Sequence, residues 1–150
     1  MGIRFRPKWA SMIDEDKVKE AIGEAERRTS GEIRVSVSRF FWGPVRPVAE
    51  RAFRRLNMDA TKARNGILFF IVPSRRKFVV LGDEGIHAHV GQDFWTEMAA
   101  AMSGRFRKGE FTEGLVDAVR AAGESLSFHF PYDRSTDVNE LPDEIDYGRR

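Results

Sequence analysis

The strongest constraint on the fold of this sequence is one apolar segment, Gly66–Val72, with the sequence GILFFIV. The segment is far shorter than the roughly 20 apolar residues that a membrane-spanning helix needs. A short run that is apolar on both faces is typical of a strand with neighbours on both edges and a packed layer on each side. We therefore predict that Gly66–Val72 is the central strand of a sheet.

Patterns on either side of this segment supply neighbouring strands and covering helices. Residues 32–40 alternate apolar and polar side chains, as a half-buried strand does. Residues 78–81 form another apolar strand, which follows Gly66–Val72 after a short polar turn. Apolar residues at helical spacing predict helices over residues 14–29, 47–57, 93–107 and 112–129.

The order α-β-α-β-β-α-α predicts an α/β fold, in which a small mixed sheet is flanked by helices. The first two strands are joined through a helix, so we expect them to be parallel with a right-handed crossover. The third strand follows the second through a tight turn, so we expect these two to be antiparallel.

The length and charge distribution indicate one domain with an acidic tail. A chain of 150 residues, 41% hydrophobic and 32% charged, is typical of a globular protein with a single core. We predict an N-terminal arm over residues 1–13, the α/β domain over 14–130 and an extended tail over 131–150. The tail holds six acidic and three basic residues. It either lies against the more basic body or is solvated, and the second alternative is the better expectation.

Several functional classes are excluded or disfavoured. The absence of cysteine excludes disulfides, thiolate-bound zinc and cysteine nucleophiles. No apolar segment follows the basic N-terminus, so we expect a cytoplasmic protein without a secretory signal or membrane span. Ten basic residues against two acidic ones between positions 39 and 77 would attract phosphates. Because no nucleic-acid-binding motif accompanies them, we expect no nucleic-acid partner.

Polar side chains collect at one end of the predicted sheet. The start of the first strand (Glu32), the start of the second (Arg64 and Asn65) and the exit of the third (Asp83 and Glu84) meet there. Carboxylate and amide oxygens are the ligands that calcium and magnesium prefer. These residue types therefore fit a metal site formed by Glu32, Asn65, Asp83 and Glu84, which is one of two interpretations that the spacing leaves open.

The segment 82–86 is predicted to be a loop in which Gly82 and Gly85 let the backbone fold around the ion. The alternative is that Glu32 pairs with Arg64, while Asp83 and Glu84 are solvated turn residues. An EF-hand is excluded, because its ladder of acidic ligands is absent.

Two further groups are weaker candidates. His87 and His89 are two residues apart, and a zinc site would need ligands that the sequence does not place, so surface histidines are favoured. The aromatic residues Phe40, Phe41 and Trp42 end the first strand and form either an exposed contact patch or a cap on the core.

Five segments together resemble the TPM-domain family over most of the chain. They are residues 29–35 (TSGEIRV), 61–68 (TKARNGIL), 82–86 (GDEGI), 93–95 (DFW) and 137–145 (DVNELPDEI). The tail is similar to that of short, stand-alone bacterial members. The resemblance implies a Rossmann-like α/β/α sandwich that binds calcium or magnesium in loops at one sheet end. It places Glu32, Asp83 and Glu84 at positions where the family has acidic residues.

The resemblance also implies an enzymatic alternative, since acid phosphatase activity is attributed to plant relatives, but no catalytic nucleophile maps onto this chain. We favour a non-enzymatic cation-binding module, with Asn65 or a tail carboxylate such as Glu140 completing the ligands. The first alternative is a metal-assisted phosphatase in which Arg64 holds the phosphate and Asp83 or Glu84 acts as base. The second is a metal-independent domain that binds a protein partner through Phe41, Trp42 and the tail.

Overall fold

The structure is a computed structural model that describes residues 12–133 and 144–148. In those residues a three-stranded sheet is combined with four helices and two short 3-10 helices. The helices are α1 (Glu15–Glu26), α2 (Val45–Arg55), α3 (Glu84–Arg107) and α4 (Phe111–His129), the strands are β1 (Glu32–Val37), β2 (Gly66–Val72) and β3 (Lys77–Gly82), and the 3-10 helices are Met58–Ala60 and Pro73–Arg75.

The sheet has the predicted strand directions, with β2 in the centre and β3 at an edge. The sequence favoured a central β2 but left the strand order open, because residues 78–81 also look buried on both faces. β1 runs parallel to β2, with Glu32 opposite Gly66 and Val37 opposite Ile71. β3 runs antiparallel to β2 through the turn at Pro73–Arg75. Every residue of β2 is buried, which confirms that its apolar character on both faces reflects a central position.

Each face of the sheet is covered by a separate apolar cluster. Residues of α1, α3 and α4 pack on one face, against Ile67, Phe69 and Ile71 of β2. Residues of α2 pack on the other face, against Leu68 and Phe70. The structure is therefore an α/β/α sandwich. Of the apolar side chains at helical spacing in the last two helices, Phe94 is half-buried and the following are buried: Trp95, Met98, Met102, Phe106, Leu115, Val119, Ala122 and Leu126.

The prediction of a loop over residues 82–86 is wrong, because α3 begins at Glu84. Asp83 is the N-cap of this helix, and its carboxylate accepts a hydrogen bond from the backbone N–H of Glu84. From sequence, the helix start was placed at residue 93, where the apolar residues at helical spacing begin; in the structure, Gly91 at φ 73° interrupts the element just before it. Residues 84–90 are a helical segment before that break.

The end of the tail lies against the body of the protein, so the expectation of a solvated tail is wrong for residues 144–148. The backbone of Asp146 pairs with β1. Its N–H donates to the carbonyl oxygen of Val35 (2.9 Å), and its carbonyl oxygen accepts from the N–H of Val37 (2.7 Å). Ile145 is buried in the larger apolar cluster. Glu140, a suggested additional ligand, lies outside the described residues.

None of the helices in the described ranges combines the length and the apolar character that crossing a bilayer requires.

Candidate functional site

The amino-terminal end of the parallel strands brings together the polar residues that the sequence analysis selected. Glu32 lies opposite Gly66 across the β1–β2 ladder, and the N–H of Asp83 donates to the carbonyl oxygen of Gly66 at 2.9 Å. Side chains alternate along a strand, so Glu32 and Asp83 belong to the sheet face that carries α2. Gly66 separates them without a side chain of its own, and a Cβ atom there would lie 2.9 Å from the carbonyl oxygen of Met58.

Asp83 and Arg64 form the central ion pair of this sheet end. Arg64 donates from Nε (2.5 Å) and Nη2 (2.9 Å) to the two carboxylate oxygens of Asp83. A second carboxylate, that of Glu84, lies 3.3 Å from Nη1 of Arg64. The hydrogen bonds to Asp83, and then the negative charges of Asp83, Glu84 and Asp59, raise the pKa of Arg64. The guanidinium group is thus paired with the carboxylates of Asp83 and Glu84, and the charge of Asp59 also acts on it.

This pairing corrects the alternative interpretation of the same residues. Asp83 is a buried helix cap held by Arg64, and it is not a solvated turn residue. Glu84 is exposed, as that alternative expects, but it also contacts Arg64. Glu32 is buried at the first position of β1.

Asn65 is the least exposed polar residue here, with 1% of its surface accessible. Its backbone N–H donates to Oγ1 of Thr61 at 3.3 Å. Neither the oxygen nor the nitrogen of its side-chain amide has a hydrogen-bond partner among the described residues. An unpaired buried amide costs about 1–3 kcal/mol. The side-chain oxygen of Asn65 is therefore available to bind a ligand, and leaving it unpaired destabilises the folded protein.

Asp59 is a member of this group that the sequence analysis missed. It lies in the 3-10 helix Met58–Ala60 and is exposed, and its charge acts on Arg64. A single aspartate in a connecting segment belongs to no spacing pattern that would identify it as a site residue. Its proximity to Arg64 depends on how the connection between α2 and β2 folds back over the sheet end.

The two glycines predicted to fold around an ion instead permit close contacts within the protein. A Cβ atom on Gly85 would collide with the carbonyl oxygens of Ala63 and Arg64, and one on Gly82 would collide with the ring of Trp95. Within residues 12–133 and 144–148, no three His, Asp or Glu side chains are arranged closely enough to hold a metal ion as they stand. An ion held by three of these carboxylates therefore requires a side chain to move.

The weaker candidates have other surroundings. His87 is exposed, and its Nδ1 accepts a hydrogen bond from Nε1 of Trp95 at 2.9 Å. His89 is also exposed and stacks on His129, with 4.7 Å between the ring centroids. Both are surface histidines, as predicted.

Of the three aromatic residues after β1, one caps the core and two are exposed, so each of the two alternatives holds for part of the segment. Phe41 packs on the apolar cluster under α2, whereas Phe40 and Trp42 are exposed and contact each other edge to face, with 4.8 Å between their ring centroids. The guanidinium carbon of Arg75 lies 5.3 Å from the ring centroid of Phe41 and 6.0 Å from that of Phe40.

Comparison with known proteins places this geometry in a family. A family model described as the TPM domain matches residues 10–125. Among solved structures, the chain is similar to the BA42 protein from the psychrophilic bacterium Bizionia argentinensis, determined by NMR, with 36% sequence identity and a TM-score of 0.83. That match covers 97% of this chain and 99% of the BA42 chain. No curated protein gave a significant match.

Proposed function

The chain belongs to the TPM domain family, and from that premise we propose that it is a binding module for a divalent cation, calcium or magnesium, at the amino-terminal end of its parallel strands. Glu32, Asp83 and Glu84 supply carboxylate oxygens, and Asn65 supplies an amide oxygen. The observation that carries this proposal is the position of Arg64, whose guanidinium group pairs with the carboxylates of both Asp83 and Glu84.

The balance of charges around Arg64 favours a divalent cation over the single positive charge of the guanidinium group. Asp59, Asp83 and Glu84 have three negative charges, and Arg64 offsets one of them. A calcium or magnesium ion offsets two, and both ions bind hard oxygen ligands of this kind. The unpaired amide of Asn65 supports the same proposal, because coordination through its oxygen would remove the cost of burying that atom without a partner.

Arg64 is the group that has to move. Its side chain is 41% exposed, whereas the side chain of Asp83 is 8% exposed and fixed as the cap of α3. The guanidinium group can therefore swing into solvent while Asp83 stays in place. We infer that Arg64 acts as the resident counter-ion of the metal-free protein and competes with the divalent ion.

The phosphatase alternative finds less support in the same geometry. It assigns Arg64 to hold a phosphate, yet this guanidinium group is already bound by Asp83 and contacts Glu84. Carboxylates next to the intended anion site repel a phosphate. Phosphatase activity, a protein partner at Trp42 and a cytoplasmic location stay predictions, and a phosphate-ester turnover assay with an Asp83→Asn control tests the first.

Calcium is expected to stabilise the folded protein at millimolar concentration. An ion that binds only the folded state adds about 2.7 kcal/mol at a hundredfold excess over its Kd, so the melting temperature should rise between EDTA and calcium. Asp83→Asn should abolish the rise, because it removes a ligand charge and weakens the hold on the ion. Asp93→Asn, an exposed position on the same helix, is the matched control and should retain it. An unchanged melting temperature in the unmodified protein would sink the proposal.

Removing the competing guanidinium group should tighten cation binding several-fold. We choose Arg64→Asn because Arg64 has φ 51°, a left-handed conformation that asparagine tolerates. Calorimetric titration with calcium should give a lower Kd for this variant than for the unmodified protein, and no binding for Arg64→Asn combined with Asp83→Asn. Weaker binding by Arg64→Asn alone, in a variant that remains folded, would contradict the competition between Arg64 and the ion.

A further inference from the structure

A second polar region lies on the same sheet face at the opposite end of β1. It is a cleft of about 720 Å³ between α2 and the carboxyl end of β1, and small-molecule sites typically have volumes of about 300–1,000 Å³. The polar part of its wall consists of two hydroxyl groups and four guanidinium groups: Ser36, Ser38, Arg39, Arg51, Arg54 and Arg55.

We propose that this cleft binds a small polyanion, a molecule with two or more carboxylate or phosphate groups. The site is separate from the proposed cation site, because Ser36 lies near the carboxyl end of β1 and Ser38 follows the strand, away from Glu32. In open α/β sheets, ligands bind in the crevice outside the carboxyl ends of the parallel strands. This cleft has that position, whereas the cation site lies at the amino ends.

The arginines are arranged as one positively charged surface. Arg51, Arg54 and Arg55 are three and four positions apart on α2, so they share one side of the helix, where like charges repel. Arg39 joins them from the segment after β1. Among the described residues, the guanidinium groups of Arg39, Arg51 and Arg54 form no ion pair. Their repulsion is unbalanced there, and a polyanion would relieve it.

The protein's own tail shows that this wall recognises an anion. The carboxylate of Asp146 accepts hydrogen bonds from Nη1 (3.1 Å) and Nη2 (2.8 Å) of Arg55, from Oγ of Ser36 (2.7 Å) and from the N–H of Gly148 (3.2 Å). This is the bidentate geometry with which arginine binds carboxylates and phosphates. One carboxylate thus uses one of the four arginines, and three positive charges remain beside it for a ligand.

The test is calorimetric titration of the full chain with pyrophosphate and, separately, with citrate, in buffer without divalent cations so that the cation site does not contribute. Acetate is the control of single charge. We expect pyrophosphate, citrate or both to bind, acetate not to bind, and the affinity to fall as salt is added. Binding of pyrophosphate alone identifies phosphate groups as the recognised chemistry, and binding of citrate alone identifies carboxylates.

The double substitution Arg51→Gln with Arg54→Gln should weaken binding by about tenfold or more, as expected for lost hydrogen bonds to charged groups. Arg46→Gln is the matched control, because Arg46 is an exposed arginine of α2 that does not line the cleft. Amide NMR signals of Ser36, Ser38 and Gly148 should shift on titration. Failure of both polyanions to bind, or an equal loss from Arg46→Gln, would overturn the proposal.

Discussion

Gly85→Ala is expected to lower the free energy of unfolding by about 2–3 kcal/mol, the usual cost of forcing an additional group into a packed site. The new methyl group would collide with the carbonyl oxygens of Ala63 and Arg64. Both are backbone atoms held in place by the sheet end, so no side-chain rotation relieves the contact. Urea denaturation with linear extrapolation measures the change.

The same helix contains a control of opposite sign. At Gly104 of α3 a Cβ atom would meet no neighbour within 4 Å. Gly104→Ala should therefore raise the free energy of unfolding by about 0.5–1 kcal/mol, since glycine in a helix interior is less favourable than alanine by this amount. If Gly85→Ala were stabilising like Gly104→Ala, the start of α3 would not pack against residues 63 and 64 as described.

Gly85 also connects stability to the candidate cation site. The N–H groups of Gly85 and Ile86 donate to the carbonyl oxygen of Arg64, at 2.8 and 3.3 Å. These bonds hold Arg64 next to Asp83, the cap of the same helix. Displacing the start of α3 would move Asp83, a proposed ligand, away from Glu32 and Asn65, so Gly85→Ala should also reduce the stabilisation by calcium.

Local patterns were sufficient to predict the sheet. The segment Gly66–Val72 matches β2 at both ends, because its apolar residues on both faces and the Pro73 that follows mark a buried central strand. The amphipathic helices were also found, with ends displaced by a few residues, because an apolar stripe at helical spacing is a property of the segment alone. Strand directions then followed from the connections, and these brought Glu32 and Asp83 to the same end of the sheet.

Features that depend on tertiary contacts were not predictable in this way. Residues 84–90 have two histidines and no sustained apolar stripe, and their helix is fixed by the Asp83 cap and by hydrogen bonds to Arg64. The partner of Arg64 was equally open from sequence, because several carboxylates lie within its reach at this sheet end. Only side-chain placement decides that it binds Asp83 and Glu84.

The tail and the arginine cleft also depend on tertiary contacts that local sequence patterns do not reveal. The excess of basic residues between positions 39 and 77 is visible in the sequence. The sequence does not reveal that four of these residues line one cleft. Residues 144–148 have no periodicity that predicts a partner. They are held by backbone bonds to the edge of β1 and by one carboxylate, and a single aspartate among many in an acidic tail has no distinguishing mark.

Asp146→Asn is expected to lower the free energy of unfolding at neutral pH by about 2 kcal/mol, since hydrogen bonds to charged groups contribute about 1.5–3 kcal/mol. The side chain of Asp146 is 11% exposed, and that of its partner Arg55 is 23% exposed, so solvent screens this pair only in part. Asparagine keeps the size of the side chain but removes the charge that Arg55 binds.

The pH dependence distinguishes this ion pair from simple packing. Burial raises the pKa of Asp146, but the hydrogen bonds from Arg55 and Ser36 and the positive charge of Arg55 outweigh it, so the pKa in the folded protein lies below the ordinary value. A carboxyl group of this kind contributes stability above its unfolded pKa and loses it as the pH falls through its folded pKa. The unmodified protein and Asp146→Asn should therefore differ at pH 7 and converge in acid.

Urea denaturation at a series of pH values measures this convergence. Glu144→Gln is the matched control in the same segment: Glu144 forms an exposed ion pair with Lys19, and such pairs contribute about 0–1 kcal/mol. A cycle with Arg55→Gln should show coupling, because the second substitution removes little more once the first has broken the pair. If the difference between Asp146→Asn and the unmodified protein persisted unchanged in acid, the negative charge of Asp146 would contribute nothing to stability. The tail would then be held to β1 by its backbone bonds, by Ile145 and by uncharged contacts of the Asp146 side chain.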